Sequence, residues 1–171
     1  MATTTRWIAQ KNKSSCGPVA ILNILKWLEI EINYNKDYCK YKRKCKCTKD
    51  GTHQPYFEKS LNSIAGIDVK CKNLPTIKEI EDALNSNHII IMKSTFMFDF
   101  KKIEGHFFII SEMTEESLFC INDIYGQHTW YNKDIFAQYY LQYHKGYCEA
   151  CGTSKLCGVS PYAWFVKKRI V

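Results

Sequence analysis

The sequence predicts an α+β domain in which an N-terminal helical part packs on an antiparallel sheet. Three observations lead there. Helical spacing of apolar residues dominates the first half of the chain, and short β-branched runs dominate the second. The 171 residues are 46% hydrophobic and 14% aromatic, enough for one packed core. No Pro/Gly/Ser-rich linker or internal repeat divides the chain. Residues 1–171 therefore read as a single domain, with a basic Cys-rich insertion at about 36–54 and a Cys-rich loop at about 144–158.

The first helix starts at Ser15 or Cys16. Ser14 and Ser15 suit an N-cap and Pro18 suits the first turn. Val19, Ala20, Leu22, Ile24, Leu25 and Leu28 recur at helical spacing, and the helix should end near Ile30. Residues 33–54 read as irregular. Tyr56 to Ala65 reads as a second helix stopped by Gly66, and Asp68 to Leu74 as a strand. Thr76 opens a third helix, with Glu79 completing a capping box and Ile77, Ile80 and Leu84 as its buried stripe. Strands follow at His88–Lys93, His106–Ser111 and Leu118–Asp123, with a short fourth at Gln127–Tyr131. Lys133 to Tyr143 reads as a helix, and Tyr162 to Lys168 as the closing strand. Phe96, Phe98 and Phe100 alternate before His106 as core, lid or cleft lining.

The net charge of +7 is spread along the chain, with one dense run at Lys36, Lys40, Lys42, Arg43, Lys44, Lys46 and Lys49. Such a run is a solvated face or a patch for nucleic acid or another acidic partner; the first reading is favoured. The N-terminus lacks the apolar core of a secretory signal, and the longest apolar run, from Val19 to Ile30, is too short to span a bilayer. The expectation is a soluble, intracellular (cytoplasmic) protein. Nine cysteines are an odd number, so a complete intramolecular disulfide set is excluded. Reduced thiols then serve as nucleophile, metal ligand or small apolar residue.

Cys16 is the strongest nucleophile candidate. At a helix start, unpaired N–H groups and the helix dipole favour a thiolate, so its pKa should be lowered. Gly17 leaves the space beside it open to a substrate. Cys16 is otherwise a buried structural cysteine. His106, after Gly105 at a strand start, has the residue type for proton exchange near neutral pH. His53, His88, His128 and His144 compete with it. Asp123 closes the next strand, and a hairpin would bring it beside His106 to orient the ring. Asn122 is a rival orienter, and strand alternation would let only one of the two serve. Gln10, six residues before Cys16, can place its amide near the thiol and, with the Cys16 N–H, hold a developing oxyanion.

Gln10-Lys-Asn-Lys-Ser-Ser-Cys16-Gly17-Pro18, Gly105-His106-Phe107-Phe108-Ile109-Ile110 and Ile121-Asn122-Asp123 together resemble the papain-like cysteine peptidases. The nearest likeness is to the branch typified by bacteriocin-processing (C39-like) peptidases. It covers roughly residues 8 to 30 and 86 to 131. The resemblance implies a papain-like fold and a peptide or protein substrate. It implies Gln10 for the oxyanion hole, Cys16 as nucleophile, His106 as base and Asp123 as orienter. Ser15 stands where that branch often carries an acid, and the two Cys-rich segments have no counterpart in the likeness.

Cys45-Lys-Cys47 and Cys148-Glu-Ala-Cys151 resemble two knuckles of a structural zinc site, with Cys39, Cys157 and His144 as spare ligands. Catalysis itself calls for no cofactor. A redox-active Cys148/Cys151 pair is the weaker reading. Cys71 and Cys120 read as core residues within strands. Hydrolysis of a peptide or isopeptide bond through an acyl-enzyme is the leading function. Acyl transfer on the same fold, a peptidase-like fold that only binds, and a zinc-stapled basic module for nucleic acid or protein are the alternatives.

Overall fold

The structure is a computed structural model describing residues 7–49, 51–98, 102–123, 126–141, 144–147, 156–159 and 161–169. A 3-10 turn, Lys13–Ser15, leads into α1 (Cys16–Trp27), followed by α2 (Tyr34–Lys44), α3 (Gln54–Asn62), β1 (Ile67–Asn73) and α4 (Ile77–Asn85). Then come β2 (His88–Phe98), β3 (Lys102–Met113), β4 (Ser117–Ile121), β5 (His128–Asn132) and α5 (Lys133–Tyr140). β6 (His144–Tyr147), β7 (Leu156–Val159) and β8 (Tyr162–Lys168) complete the chain.

Six strands form one sheet in the order β1-β8-β2-β3-β4-β5, and every neighbouring pair is antiparallel. The final strand does not close an edge. It inserts between β1 and β2, where Ala163, Trp164 and Val166 are fully buried. One sheet face packs on α1, α2 and α3 through Phe107, Ile109, Trp164 and Val166. The other packs on α4 and α5 through Ile90, Met92, Phe108 and Ile110. The alternation along β3 thus feeds two cores from one strand. Phe57 of α3 joins helices to sheet, its ring 4.4 Å from Phe107 and 4.9 Å from Trp164. Burial of this kind makes Phe→Ala cost about 3–5 kcal/mol.

α1 is buried on nearly all sides because it lies between the sheet and the other two N-terminal helices. It ends at Trp27, short of Ile30, where Glu29 takes a left-handed conformation (φ 63°). The expected irregular segment 33–54 is instead helical over α2. Asn33 caps it by accepting from the Lys36 N–H at 3.2 Å, and Asp37 accepts from the Asn33 N–H at 3.0 Å. Tyr34, Tyr38, Tyr41 and Cys45 form its inward stripe, with Tyr34 and Tyr38 stacked at 5.7 Å. The lysines are its outer face, and Lys40 lies over the ring of Tyr41, 5.2 Å from its centroid. The Thr76–Glu79 capping box of α4 is formed as expected.

β2 and β3 are longer than expected, pairing out to Phe98 and Lys102. His106 is therefore within a strand and not at its start. Cys120 is buried, but Cys71 is exposed on the edge strand β1, contrary to the core expectation. The 144–158 segment, expected as a loop, contains the paired β6 and β7. The cleft or lid reading of the Phe96, Phe98 and Phe100 side chains lies outside the described residues. Among the described residues, no helix is long and apolar enough to cross a membrane.

Candidate active site

The site forms where β4 stops short of its neighbour. β3–β4 pairing reaches only Ile109↔Ile121, so the stretch of β3 holding His106 and Phe107 runs on past the end of β4. The tip of α1 faces this notch. Ser15, at the N-cap position, makes no side-chain cap; its hydroxyl donates to the Asn12 carbonyl at 2.8 Å. The helix tip is thus left with uncapped N–H groups, and no acid stands in its first turn.

Cys16 is 4% exposed. Its sulfur lies within hydrogen-bonding reach of the Phe107 N–H, one peptide bond from His106, and of the Gly17 N–H. Burial pushes the thiol up to about 11, while those two amides pull it down. This corrects the expectation of a lowered pKa. The helix-tip amides act in the expected direction, but desolvation outweighs them. In this closed geometry burial favours the protonated form of Cys16.

Gly17 is filled from within the chain, contrary to the expectation of open space. A Cβ there would lie 2.6 Å from Thr52 Oγ1. On the other side of the tip, Cys47 Sγ donates to the Ser14 carbonyl at 3.0 Å. The segment after α2 therefore packs directly on the start of α1.

His106 is buried, with its ring parallel to that of Phe108 at 6.4 Å. Its Nε2 is 2.8 Å from the Asn122 carbonyl oxygen. A nitrogen facing a carbonyl must carry the proton, so Nε2–H donates and Nδ1 holds the lone pair of the neutral ring. Of the competing histidines, His53 is exposed at the start of α3 and His88 faces the Ala83 carbonyl at 3.1 Å. His128 Nδ1 accepts from the Asn122 N–H at 3.2 Å, and the His144 side chain lies outside the described residues.

Asn122 and Asp123 follow the end of β4 and do not alternate. Asn122 is left-handed (φ 53°), which turns the chain, and both residues are buried. The strand does not run on to Asp123, so alternation does not restrict the site to one of the two residues. Asp123 Oδ1 accepts from the Gln127 N–H at 2.7 Å and Oδ2 from the Tyr131 hydroxyl at 2.7 Å. The Asn122 side chain reaches the N-terminal segment: Oδ1 accepts from the Gln10 N–H at 3.0 Å and Nδ2 donates to the Ile8 carbonyl at 2.8 Å. Asn23 of α1 clamps Ile8 from the other side, its Oδ1 accepting from the Ile8 N–H at 2.8 Å. Gln10 is thereby held against Gly126, and its buried Oε1 has no hydrogen-bond partner.

Of the cysteines expected to bind zinc, Cys45 is buried beside the Ser60 hydroxyl and Cys47 sits on Ser14. Cys148 and Cys151 lie outside the described residues. No group of three or more His, Cys, Asp or Glu among the described residues is placed to hold a metal. Sequence reading passed over Tyr131 and the amide of Phe107. A backbone donor leaves no trace in residue identity, and Tyr131 looked like an ordinary strand residue.

The peptidase domain of Streptococcus ComA, a bi-functional ABC transporter involved in quorum sensing, has a similar structure. It is 13% identical, with a TM-score of 0.61 over 95% of this chain and 97% of that one. A double glycine motif protease from an AMS/PCAT transporter, solved in complex with the leader peptide, is also 13% identical. Its TM-score is 0.60 over 94% of this chain and 89% of that one. No curated protein matches the chain. The family model described as Peptidase C39 family matches residues 4–144. With most of its length matched and its helices and antiparallel sheet arranged as in those peptidase domains, this chain belongs to the peptidase C39 family and is a cysteine peptidase.

Proposed function

We propose that the chain hydrolyses a peptide bond through an acyl-enzyme on Cys16, with His106 as general base and acid. The observation that carries this is the fixing of His106 Nε2 by the Asn122 carbonyl while the Cys16 sulfur sits at the neighbouring Phe107 amide. With Nε2 committed, Nδ1 is the basic nitrogen. Burial favours the protonated thiol, so His106 must take its proton for the sulfur to attack the carbonyl. The Cys16 N–H and the Gln10 side chain hold the oxyanion. His106 returns the proton to the leaving amine. Water then attacks the thioester, restoring the thiol and releasing the acid. Asp123 lies beside the ring's anchor, where its charge steadies the imidazolium.

The complex of a structural neighbour with a leader peptide makes a double-glycine peptide the first substrate to try. Incubation with such a peptide, followed by mass spectrometry, should yield cleavage after the glycine pair. Cys16→Ala should abolish it and His106→Ala should lower it by about 10³-fold or more. Cleavage that survives Cys16→Ala would overturn the assignment.

A further inference from the structure

Asn122 joins three parts of the site that are remote in sequence. Its carbonyl takes the His106 Nε2–H, its Oδ1 takes the Gln10 N–H, and its Nδ2 holds the Ile8 carbonyl. The residue is 3% exposed and left-handed, a conformation that Asn tolerates better than most residues. The segment that carries Gln10 has no regular secondary structure to place it. Ile8 is held between Asn23 and Asn122, and the Gln10 backbone by Asn122. We propose that Asn122 is a positioning residue that sets the oxyanion donor Gln10 in register with the base His106. This rests on the reading of Cys16, His106 and Gln10 given above.

The two functions of Asn122 use different atoms and are separable. Glycine at 122 keeps the carbonyl and the left-handed backbone, and so keeps the His106 contact, but it releases Gln10. Two reactions at Cys16 distinguish these effects. Alkylation by iodoacetamide displaces iodide at saturated carbon and develops no oxyanion. Acylation by p-nitrophenyl acetate passes through a tetrahedral oxyanion. Both are read by mass spectrometry of the Cys16 peptide, with folding checked by circular dichroism.

Asn122→Gly should slow acylation of Cys16 at least tenfold and leave the alkylation rate and its pH profile within about threefold of wild type. Its effect should vanish in the Gln10→Ala background, because both changes remove the same donor. Asn122→Asp, which keeps the acceptor for the Gln10 N–H and nearly the same shape, should recover part of the acylation rate. It also serves as the test should the glycine variant not fold. Equal loss in both reactions, additivity with Gln10→Ala, or unchanged acylation would overturn the proposal. Failure of the underlying reading looks different: wild-type alkylation of Cys16 would then be indifferent to His106→Ala.

Discussion

Gly17→Ala tests how tightly the segment after α2 is packed on the start of α1. The added Cβ would lie 2.6 Å from Thr52 Oγ1 and 2.8 Å from both Thr52 Cβ and Cγ2. Carbon atoms rest at about 3.5–4.0 Å, so the segment must retreat by roughly 1 Å. Overpacking of this size costs about 1–3 kcal/mol. Alanine regains at most about 1 kcal/mol over glycine in a helix. The net expectation is a loss of up to about 2 kcal/mol, read as a lower urea midpoint with an unchanged slope. Thr52→Gly deletes all three clashing atoms, including a hydroxyl that is buried without a partner. In that background Gly17→Ala should be neutral or stabilising, which makes the coupling at least about 1 kcal/mol. Stabilisation by Gly17→Ala in the wild-type background, or the same effect in both backgrounds, would refute the packing.

Burial raises the Cys16 and Cys45 thiols from 9.0 to about 11, so folding favours their protonated forms. Their contribution is complete below pH 9 and is lost as pH rises through 11, by about 3 kcal/mol per thiol at the limit. Urea melts between pH 8 and 11 should therefore fall less steeply for Cys45→Ala than for wild type. Tyr131→Phe removes the donor to Asp123 Oδ2 and should cost about 1–3 kcal/mol in the same melts. Burial, with hydrogen bonds to Tyr140 and Asp123, holds the Tyr131 hydroxyl far above the ordinary tyrosine range. A spectrophotometric titration should accordingly show it ionising only on unfolding. Asn23→Ala leaves the Ile8 N–H without its partner and should cost about 1–3 kcal/mol while slowing p-nitrophenyl acetate acylation of Cys16. Thr76→Ala opens the capping box far from the site, costing about 1 kcal/mol with the acylation rate unchanged.

The α+β layout was legible because helix and strand periods are carried by side-chain identity. Cys16 to Trp27, the Thr76 box and Tyr162 to Lys168 were readable for that reason. α2 was hidden by composition. Its tyrosine stripe has helical spacing, but the surrounding lysines read as a charged loop. The insertion of β8 between β1 and β2 is a long-range pairing that no local pattern encodes. At the site, residue types pointed to Gln10, Cys16, His106 and Asp123. The bond from His106 to a backbone carbonyl, the left-handed turn at Asn122 and the Phe107 amide at the sulfur did not follow from residue type. Nor did the thiol's raised pKa, because burial is a property of the assembled fold.

In the proposed mechanism His106 governs the reactivity of Cys16. Iodoacetamide alkylation of the Cys16 peptide, followed by mass spectrometry from pH 5 to 11, measures this directly. In wild type, Cys16 should react well below pH 11, because His106 takes up its proton. In His106→Ala that assisted reactivity should disappear, leaving only the rise of a buried thiol toward 11. Superimposable profiles for the two proteins would contradict the account.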